Sequence, residues 1–338
     1  MTETVIIFVL IYVDDIIVTG NNVAELNDFI VRLNKHFSLK DLGALHYFLG
    51  IEAYRDETGL YLTQTKYIAE ILDRYDMLNV KPCPTPMITG KTLSKTDGTM
   101  LSNPTMYRSA IGALQYLCHT RPDIAFAVNK LSQFLQTPTT SHWSGVKRVL
   151  RYLKGTLHYG LHISYCERLN LVGYSDADWG CCPDDRRSIA GYCVYLGDSL
   201  VSWSSKKQAV VSRSSTESEY RALAHVASEI TWIKSLLKEF QFKLLERPVT
   251  WCDNISASAL ASNPVYHART EHIEIDVHFV RDKVLKKELE IRYIPTSDQI
   301  ADCLTKSITQ SRFQVLVDKL GVKISPHRLR GGVKNLNG

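Results

Sequence analysis

The chain has 338 residues, 45% of them hydrophobic and 22% charged, ordinary proportions for a soluble globular protein and enough length for two domains of about 100–200 residues each. A formal net charge of +5 suits a polyanionic partner without demanding one. The eight cysteines form no C-x-x-C pair, which sets aside structural zinc and a disulfide framework and leaves reduced, intracellular thiols as the reading.

The apolar run Val5–Val13 lacks a basic leader and meets Asp14-Asp15 with no small-residue cleavage site. It is also far short of the ~20 residues that cross a bilayer. It is expected to be a buried strand, with no membrane segment in the chain. With Ile16–Gly20 it forms a hairpin that displays two carboxylates at its tip, although aspartate is also common in ordinary turns. Val23, Leu26, Phe29, Ile30, Leu33 and Phe37 keep helical spacing behind Asn21 or Asn22 as N-cap. Strands are expected at Leu45–Tyr54 and Gly59–Thr63, and a second amphipathic helix at Lys66–Tyr75.

The stretch 81–104 is rich in proline and glycine and reads as an irregular linker. Tyr107–Tyr159 is expected to be mostly helical. In its last helix Lys147, Arg148, Arg151 and Lys154 oppose the apolar stripe Val146, Val149, Leu150 and Leu153. Such a basic face is either simply solvated or tracks phosphates, gaining affinity through counterion release.

The most informative stretch is Leu171–Trp179, a strand that begins apolar and ends in carboxylates. A buried mid-strand acid is costly unless something positive compensates it, and a divalent cation is the usual solution. Metal-assisted phosphoryl chemistry brings several carboxylates to a pair of ions about 3.5–4 Å apart. Alternating strands at 191–197 and 200–206 complete an antiparallel meander, the last ending at Lys206-Lys207. Ser214–Tyr220 reads as the capped start of a long helix. Pro248–Asp253 is a short strand ending in acid, followed by a helix at Ile255–Ala261, helix over Ala268–Leu285, a strand at Glu290–Ile294, and a last helix opened by Ser297 or Asp298.

This order gives an α/β layered fold with a mixed five-stranded sheet. Acids fall at Asp176, Glu219, Asp253 and Asp302, and the first and fourth strands should lie side by side as the parallel centre of that sheet. Taken singly, each acid has a plain explanation as a helix-start charge or cap. Together they are better explained by one metal site. His267, His272 and His278 lack metal-ligand spacing and read as hydrogen-bonding helix residues.

Tyr12-Val13-Asp14-Asp15 resembles the Y-x-D-D motif of reverse transcriptase palms, where the first aspartate binds a catalytic metal. The stretch from Asp41 to Met77 resembles the palm end and thumb start of copia-type retrotransposon polymerases, with Phe48-Leu49-Gly50 where that family holds the primer terminus. Tyr174–Trp179, Trp203–Gln208, Ser215–Tyr220, Cys252-Asp253-Asn254, His267–Ile273 and Gln299–Asp302 together resemble the ribonuclease H domain of copia-type Pol polyproteins. The likeness runs from the first residues to about residue 315.

The resemblance implies a partial palm and thumb (1–80), the linker (81–104), a helical connection (105–165), a ribonuclease H domain (166–315) and a tail (316–338). It makes Asp176, Glu219, Asp253 and Asp302 ligands of two Mg²⁺ ions, with Mn²⁺ as a substitute. Glu217 and Asp178 are the close competitors, and Glu219 is preferred because Glu219-Tyr220-Arg221-Ala222 fits the family's E-x-x-A pattern. The implied activity is cleavage of RNA in RNA–DNA hybrids, in the cytoplasm or nucleus, without a small-molecule cofactor. Other Pol or Gag products of the same element are the implied protein partners. Lys147, Arg148, Arg151, Lys154, Lys206 and Lys207 are the candidate nucleic-acid contacts.

Two departures qualify that expectation. The loop Pro295–Asp298 has no histidine, which many ribonucleases H carry there. The fingers and the earlier palm strand are not in the sequence, so Asp14 and Asp15 form a vestigial polymerase site and no DNA synthesis is expected. The competing reading is a catalytically silent relic that only binds nucleic acid. A DDE-type transposase would use three acids in a different order, with no preceding Y-x-D-D hairpin.

Overall fold

The computed structural model describes residues 5–262 and 271–326. The chain opens with strands β1 (Ile7–Tyr12) and β2 (Asp15–Gly20), paired antiparallel with Tyr12 opposite Asp15. Val13 takes a left-handed φ of 51° at the turn, and Asp14 stands at the tip. The hairpin forms, but β1 is not buried as expected: Leu10 is 54% and Ile11 65% exposed. The reason is topological, because among the described residues β1 and β2 pair only with each other. Phe8 is the exception, edge-on to Phe240 at 5.0 Å between ring centroids. Helix α1 (Val23–Phe37) is capped by Asn22, whose side chain accepts from the amides of Ala24 and Glu25, yet none of its residues is buried.

The expected strand Leu45–Tyr54 is broken. Leu49 and Gly50 both adopt positive φ (48° and 76°), and they turn β3 (Tyr47–Phe48) back onto β4 (Ile51–Asp56). Next come β5 (Gly59–Thr63), α2 (Thr65–Arg74), α3 (Pro104–Leu117), α4 (Ala125–Ser132) and α5 (Thr140–Gly155). Asn103 caps α3 ahead of Pro104, and Thr139 with His142 forms a reciprocal capping box on α5.

Strand β6 (Tyr159–Ser164) joins β5 and, on its other side, β12 (Val322–Ile324). The resulting sheet runs β12-β6-β5-β4-β3. It ties the strands of residues 47–63 to β12, near the other end of the described residues.

A second five-stranded sheet contains the acid-bearing strand. It is built from β7 (Leu171–Asp178), β8 (Ile189–Leu196) and β9 (Ser199–Lys207), then α6 (Ser215–Glu239), β10 (Val249–Cys252), α7 (Ile255–Ser262), α8 (Glu274–Leu285) and β11 (Glu290–Tyr293). Its order is β11-β10-β7-β8-β9, with β7, β10 and β11 parallel and β8 antiparallel to both its neighbours. Helix α9 (Gln310–Lys319) precedes β12.

One face of this sheet packs against α6 and α8 through Leu171, Val194, Leu223, Ala227, Ile230 and Val280. Cys193, Tyr195 and Leu200 belong instead to a larger core shared with α2–α5, α9 and β12. The sheet is therefore covered on both faces, which is why its central strands tolerate near-continuous apolar sequence. Part of the expected helix over Ala268–Leu285 lies outside the described residues. Within them, a 3-10 turn at Glu271–Ile273 precedes α8. Among the described residues no helix is long and apolar enough to cross a membrane.

Candidate metal centre

The parallel seam between β7 and β10 sets the site. Cys252 pairs with Ser175, so Asp253, one residue beyond β10, emerges beside Asp176. The next helix does not use Asp253 as its cap. Asn254 does that, its Oδ1 accepting from the Ala257 amide at 2.9 Å. Asp253 instead accepts from the Thr296 hydroxyl (2.9 Å) and, more weakly, from the Gln299 side-chain amide (3.4 Å).

The two glutamates at the start of α6 separate clearly. Ser214 caps the helix by accepting from the Glu217 amide. Glu217 in turn accepts from the Arg213 amide at 2.8 Å and pairs with Arg221 at 2.9 Å, so its charge is spent on the helix start. Glu219 is 7% exposed, and its Oε2 has no hydrogen-bond partner. Asp176, Glu219 and Asp253 each present one oxygen, all within 4.8 Å of one another. Asp178, the other competitor, is not part of this trio; it lies half-buried beside Cys181.

The structure treats Asp302 differently. The expected last helix is replaced by 3-10 turns at Thr296–Asp298 and Ile300–Leu304, and the cap is Gln299 rather than Ser297 or Asp298, its side chain accepting from the Ala301 amide. Buried Gln299 also donates to the Ser175 carbonyl at 2.9 Å, so its amide bonds replace the hydrogen bonds an α-helix would make. Asp302 is buried on this turn, but cations meet it: Lys306 Nζ at 2.8 Å, and the Arg312 guanidinium. Lys306 also lies 3.4 Å from Asp176, whose same oxygen accepts from the Thr305 hydroxyl. Thr296, Thr305, Lys306 and Arg312 carry no role in the sequence reading, and Gln299 enters it only within the Gln299–Asp302 stretch. For Thr305 and Lys306 the available signal was their spacing of three and four residues after Asp302.

The approach of this turn depends on a glycine. Gly191 pairs with Asp176, and a Cβ there would fall 2.8 Å from Thr305 Cγ2 and 2.9 Å from Leu304 Cβ. No other residue lets the turn cross the sheet so close to Asp176.

Burial, reinforced by the facing Asp176 and Asp253, pushes the Glu219 carboxyl up to about 9. Burial also raises Asp176, to about 6, against the pull of Lys306. For Lys306 burial acts downward, but Asp176 and Asp302 outweigh it and keep the ammonium protonated. Crowded, dehydrated carboxylates of this kind resist ionisation until a cation joins them. The donors are all oxygen, since burial holds the adjacent Cys252 thiol protonated; such a set fits Mg²⁺ or Mn²⁺ rather than zinc. A buried Glu219 oxygen left without a hydrogen-bond partner fits a bound cation as well.

The remaining expected residues are scattered. Asp14 and Asp15 are exposed, and among the described residues they belong to no cluster of three metal-capable groups. Arg148 donates to the Thr85 hydroxyl and Arg151 to the Lys81 carbonyl, so both pin the 81–85 segment onto α5. Lys147 and Lys206 are exposed and Lys154 half-buried. Lys207 is engaged with Asp185 at 2.7 Å. His278 faces Glu274 on α8, the His272 carbonyl accepts from Arg221, and His267 lies outside the described residues.

Residues 2–89 match the family model described as reverse transcriptase (RNA-dependent DNA polymerase). Over 321 residues, 95% of this chain, the sequence is 49% identical to the retrovirus-related Pol polyprotein from transposon RE1 of Arabidopsis thaliana. The chain belongs to the Pol family of copia-type retrotransposons. The corresponding polyprotein of transposon TNT 1-94 from Nicotiana tabacum is 37% identical, again over 95% of the chain. This Pol chain spans 22% and 25% of those two relatives. Among solved structures, LC11-RNase H1 in complex with RNA/DNA hybrid aligns over 40% of this chain and 94% of its own, with 12% identity and a TM-score of 0.32. Its own sheet topology gives the Pol chain the mixed α/β fold expected of it, the second sheet ordered as a three-stranded meander extended by two parallel strands.

Proposed function

We propose that the Pol chain cleaves the RNA strand of RNA–DNA hybrids at a divalent-metal centre held by Asp176, Glu219 and Asp253, with Asp302 at its edge. The observation that carries this reading is the meeting of Asp176, Glu219 and Asp253, which present oxygens within 4.8 Å of one another, with one buried Glu219 oxygen left without a hydrogen bond. A buried carboxyl oxygen without a partner is retained at a cost in stability, and a cation ligated there removes that cost. Mg²⁺ at such a centre supplies Lewis acidity, lowering the pKa of water and stabilising the leaving 3′ oxygen.

The chain's own residues do the rest. Thr296 and Gln299 fix the orientation of the Asp253 carboxylate, and Thr305 fixes that of Asp176. Such outer bonds keep ligands in position before an ion arrives. Lys147 and Lys206 are free to contact phosphates, and the 50% exposed indole of Trp179, pinned by its N–H to the Ser212 carbonyl, offers a stacking face close to the acids. Discrimination of hybrid from duplex DNA would come from 2′-OH and minor-groove contacts. DNA synthesis is not assigned to this chain, because Asp14 and Asp15 stand without a third carboxylate among the described residues.

A second reading, a silent relic that only binds nucleic acid, is favoured by the cations already paired with Asp302. Incubation with end-labelled RNA–DNA hybrid, duplex DNA and single-stranded RNA separates the two. Cleavage confined to the hybrid and abolished by EDTA supports the nuclease. Binding of the hybrid with no cleavage by folded protein supports the relic.

A further inference from the structure

The four acids of this site are not equivalent. Three present oxygens within 4.8 Å of one another, whereas Asp302 already has two cations on it. Lys306 Nζ reaches one Asp302 oxygen at 2.8 Å and Asp176 at 3.4 Å. The Arg312 guanidinium takes the other Asp302 oxygen and also donates to the Thr296 carbonyl. The Lys306 ammonium therefore bridges two carboxylates that are 2% and 3% exposed at the side chain, the arrangement a second divalent ion would otherwise adopt.

We propose that Lys306 is a tethered counter-ion occupying the second cation position. The chain then loads one divalent ion on Asp176, Glu219 and Asp253, and admits another only when the Lys306 ammonium leaves. The inference rests on the metal-centre reading above and adds its order of loading. The two cations at Asp302 play different parts. Arg312 is anchored at both a carboxylate and a carbonyl, so it stays as the fixed partner of Asp302. Lys306 has a flexible four-carbon stem and a single head, and its side chain is 32% exposed, so it can swing out without unfolding the turn. An incoming phosphodiester is a suitable receptor for it, since an ammonium released from carboxylates bonds phosphate oxygens equally well. Two point charges of the same sign cannot share Asp176 and Asp302 at contact distance, so lysine and ion exclude each other.

The test is Mn²⁺ binding to the whole metal-free chain, with free ion counted by electron paramagnetic resonance. Wild type should bind one ion tightly and a second only weakly. Lys306→Met should tighten the second ion by about tenfold or more, because the competing charge is gone. Lys306→Arg, which keeps the charge, should behave as wild type. In EDTA, Lys306→Met should also melt below wild type, and Mn²⁺ should restore it, because only the ion then neutralises Asp176 and Asp302. If Lys306→Met misfolds, Lys306→Gln is read in its place.

Equal number and affinity of bound ions in wild type and both neutral variants overturns the inference while leaving the metal centre standing. No bound ion in folded wild type overturns both. Asp176→Asn, expected to lose the tight ion, tells the two failures apart.

Discussion

Cys252 lies opposite Ser175 in the parallel seam between β10 and β7, and this one register fixes where Asp176 and Asp253 meet. A shift by one residue would turn Asp253 to the other face of the sheet and leave Asp176 with no strand-borne partner. Everything else at the site is brought to this point: Glu219 by the capped start of α6, and Thr305 and Lys306 by the turn that crosses Gly191.

The two neighbouring glutamates make a clean comparison. Glu219→Gln should abolish tight Mn²⁺ binding and leave the metal-free fold intact or more stable, since it removes a buried group held from ionising. Glu217→Gln should retain the ion and cost about 1 kcal/mol through the weakened cap and the pair with Arg221. Metal titration and urea unfolding of both variants check this. Loss of ion binding on the Glu217 side alone would reverse the assignment.

Metal-free stability should fall as pH rises. The folded Glu219 carboxyl keeps its proton up to about 9, against an ordinary value of 4.5, and Asp176 keeps its proton to about 6, against 3.8. Between each pair of values the folded state binds more protons than the unfolded chain, so stability declines with pH across that window. Thermal melts in EDTA should therefore drop progressively from about pH 5 toward pH 9, with Glu219→Gln flattening the upper part. Mg²⁺ should raise the melting temperature most at the alkaline end, where binding expels fewest protons. Melts that rise with pH in EDTA would contradict the burial of Glu219.

Gly191→Ala places a methyl group against Leu304 and Thr305. We expect a loss of about 1–3 kcal/mol from overpacking, together with weaker ion binding, because the displaced turn carries Thr305 away from Asp176. A fully stable variant with normal ion affinity would show that the turn is free to shift.

Remote from the site, Arg121 is fully buried and bonds both oxygens of Asp123, at 2.9 and 2.7 Å, as well as Thr156. Tyr152 adds a third bond to Asp123 at 2.6 Å. Arg121→Met leaves that carboxylate without its counter-charge and should cost about 3–5 kcal/mol. Denaturant unfolding measures it, and a change below about 1 kcal/mol would mean that Asp123 finds water or a proton instead.

Much of the site was legible because an acid at the end of a buried strand is expensive, and that cost shows in the sequence at Asp176 and Asp253. Glu219 was distinguished from Glu217 only by family pattern; in the structure Glu217 bonds Arg213 and Arg221, while one Glu219 oxygen has no partner. What sequence periodicity missed was set by contacts distant along the chain. The strand break at Leu49-Gly50 is a two-residue turn inside a continuous apolar run. The 3-10 turn at Asp302 is held by Gln299, whose partners come from β7 and the end of β10. The exposure of β1 could not be read from its own residues, because an apolar run reports a wish to be buried and not the presence of a neighbour. Half of the expected basic face, Arg148 and Arg151, proved to hold the chain's own 81–85 segment.

The most direct test of the account is cleavage of an end-labelled RNA–DNA hybrid in Mg²⁺ by wild type and by Asp176→Asn, both checked for folding by circular dichroism. Cutting of the RNA strand by wild type, lost in the variant and in EDTA, is the result the metal centre predicts. Equal cutting by both proteins, or none by folded wild type, would contradict it.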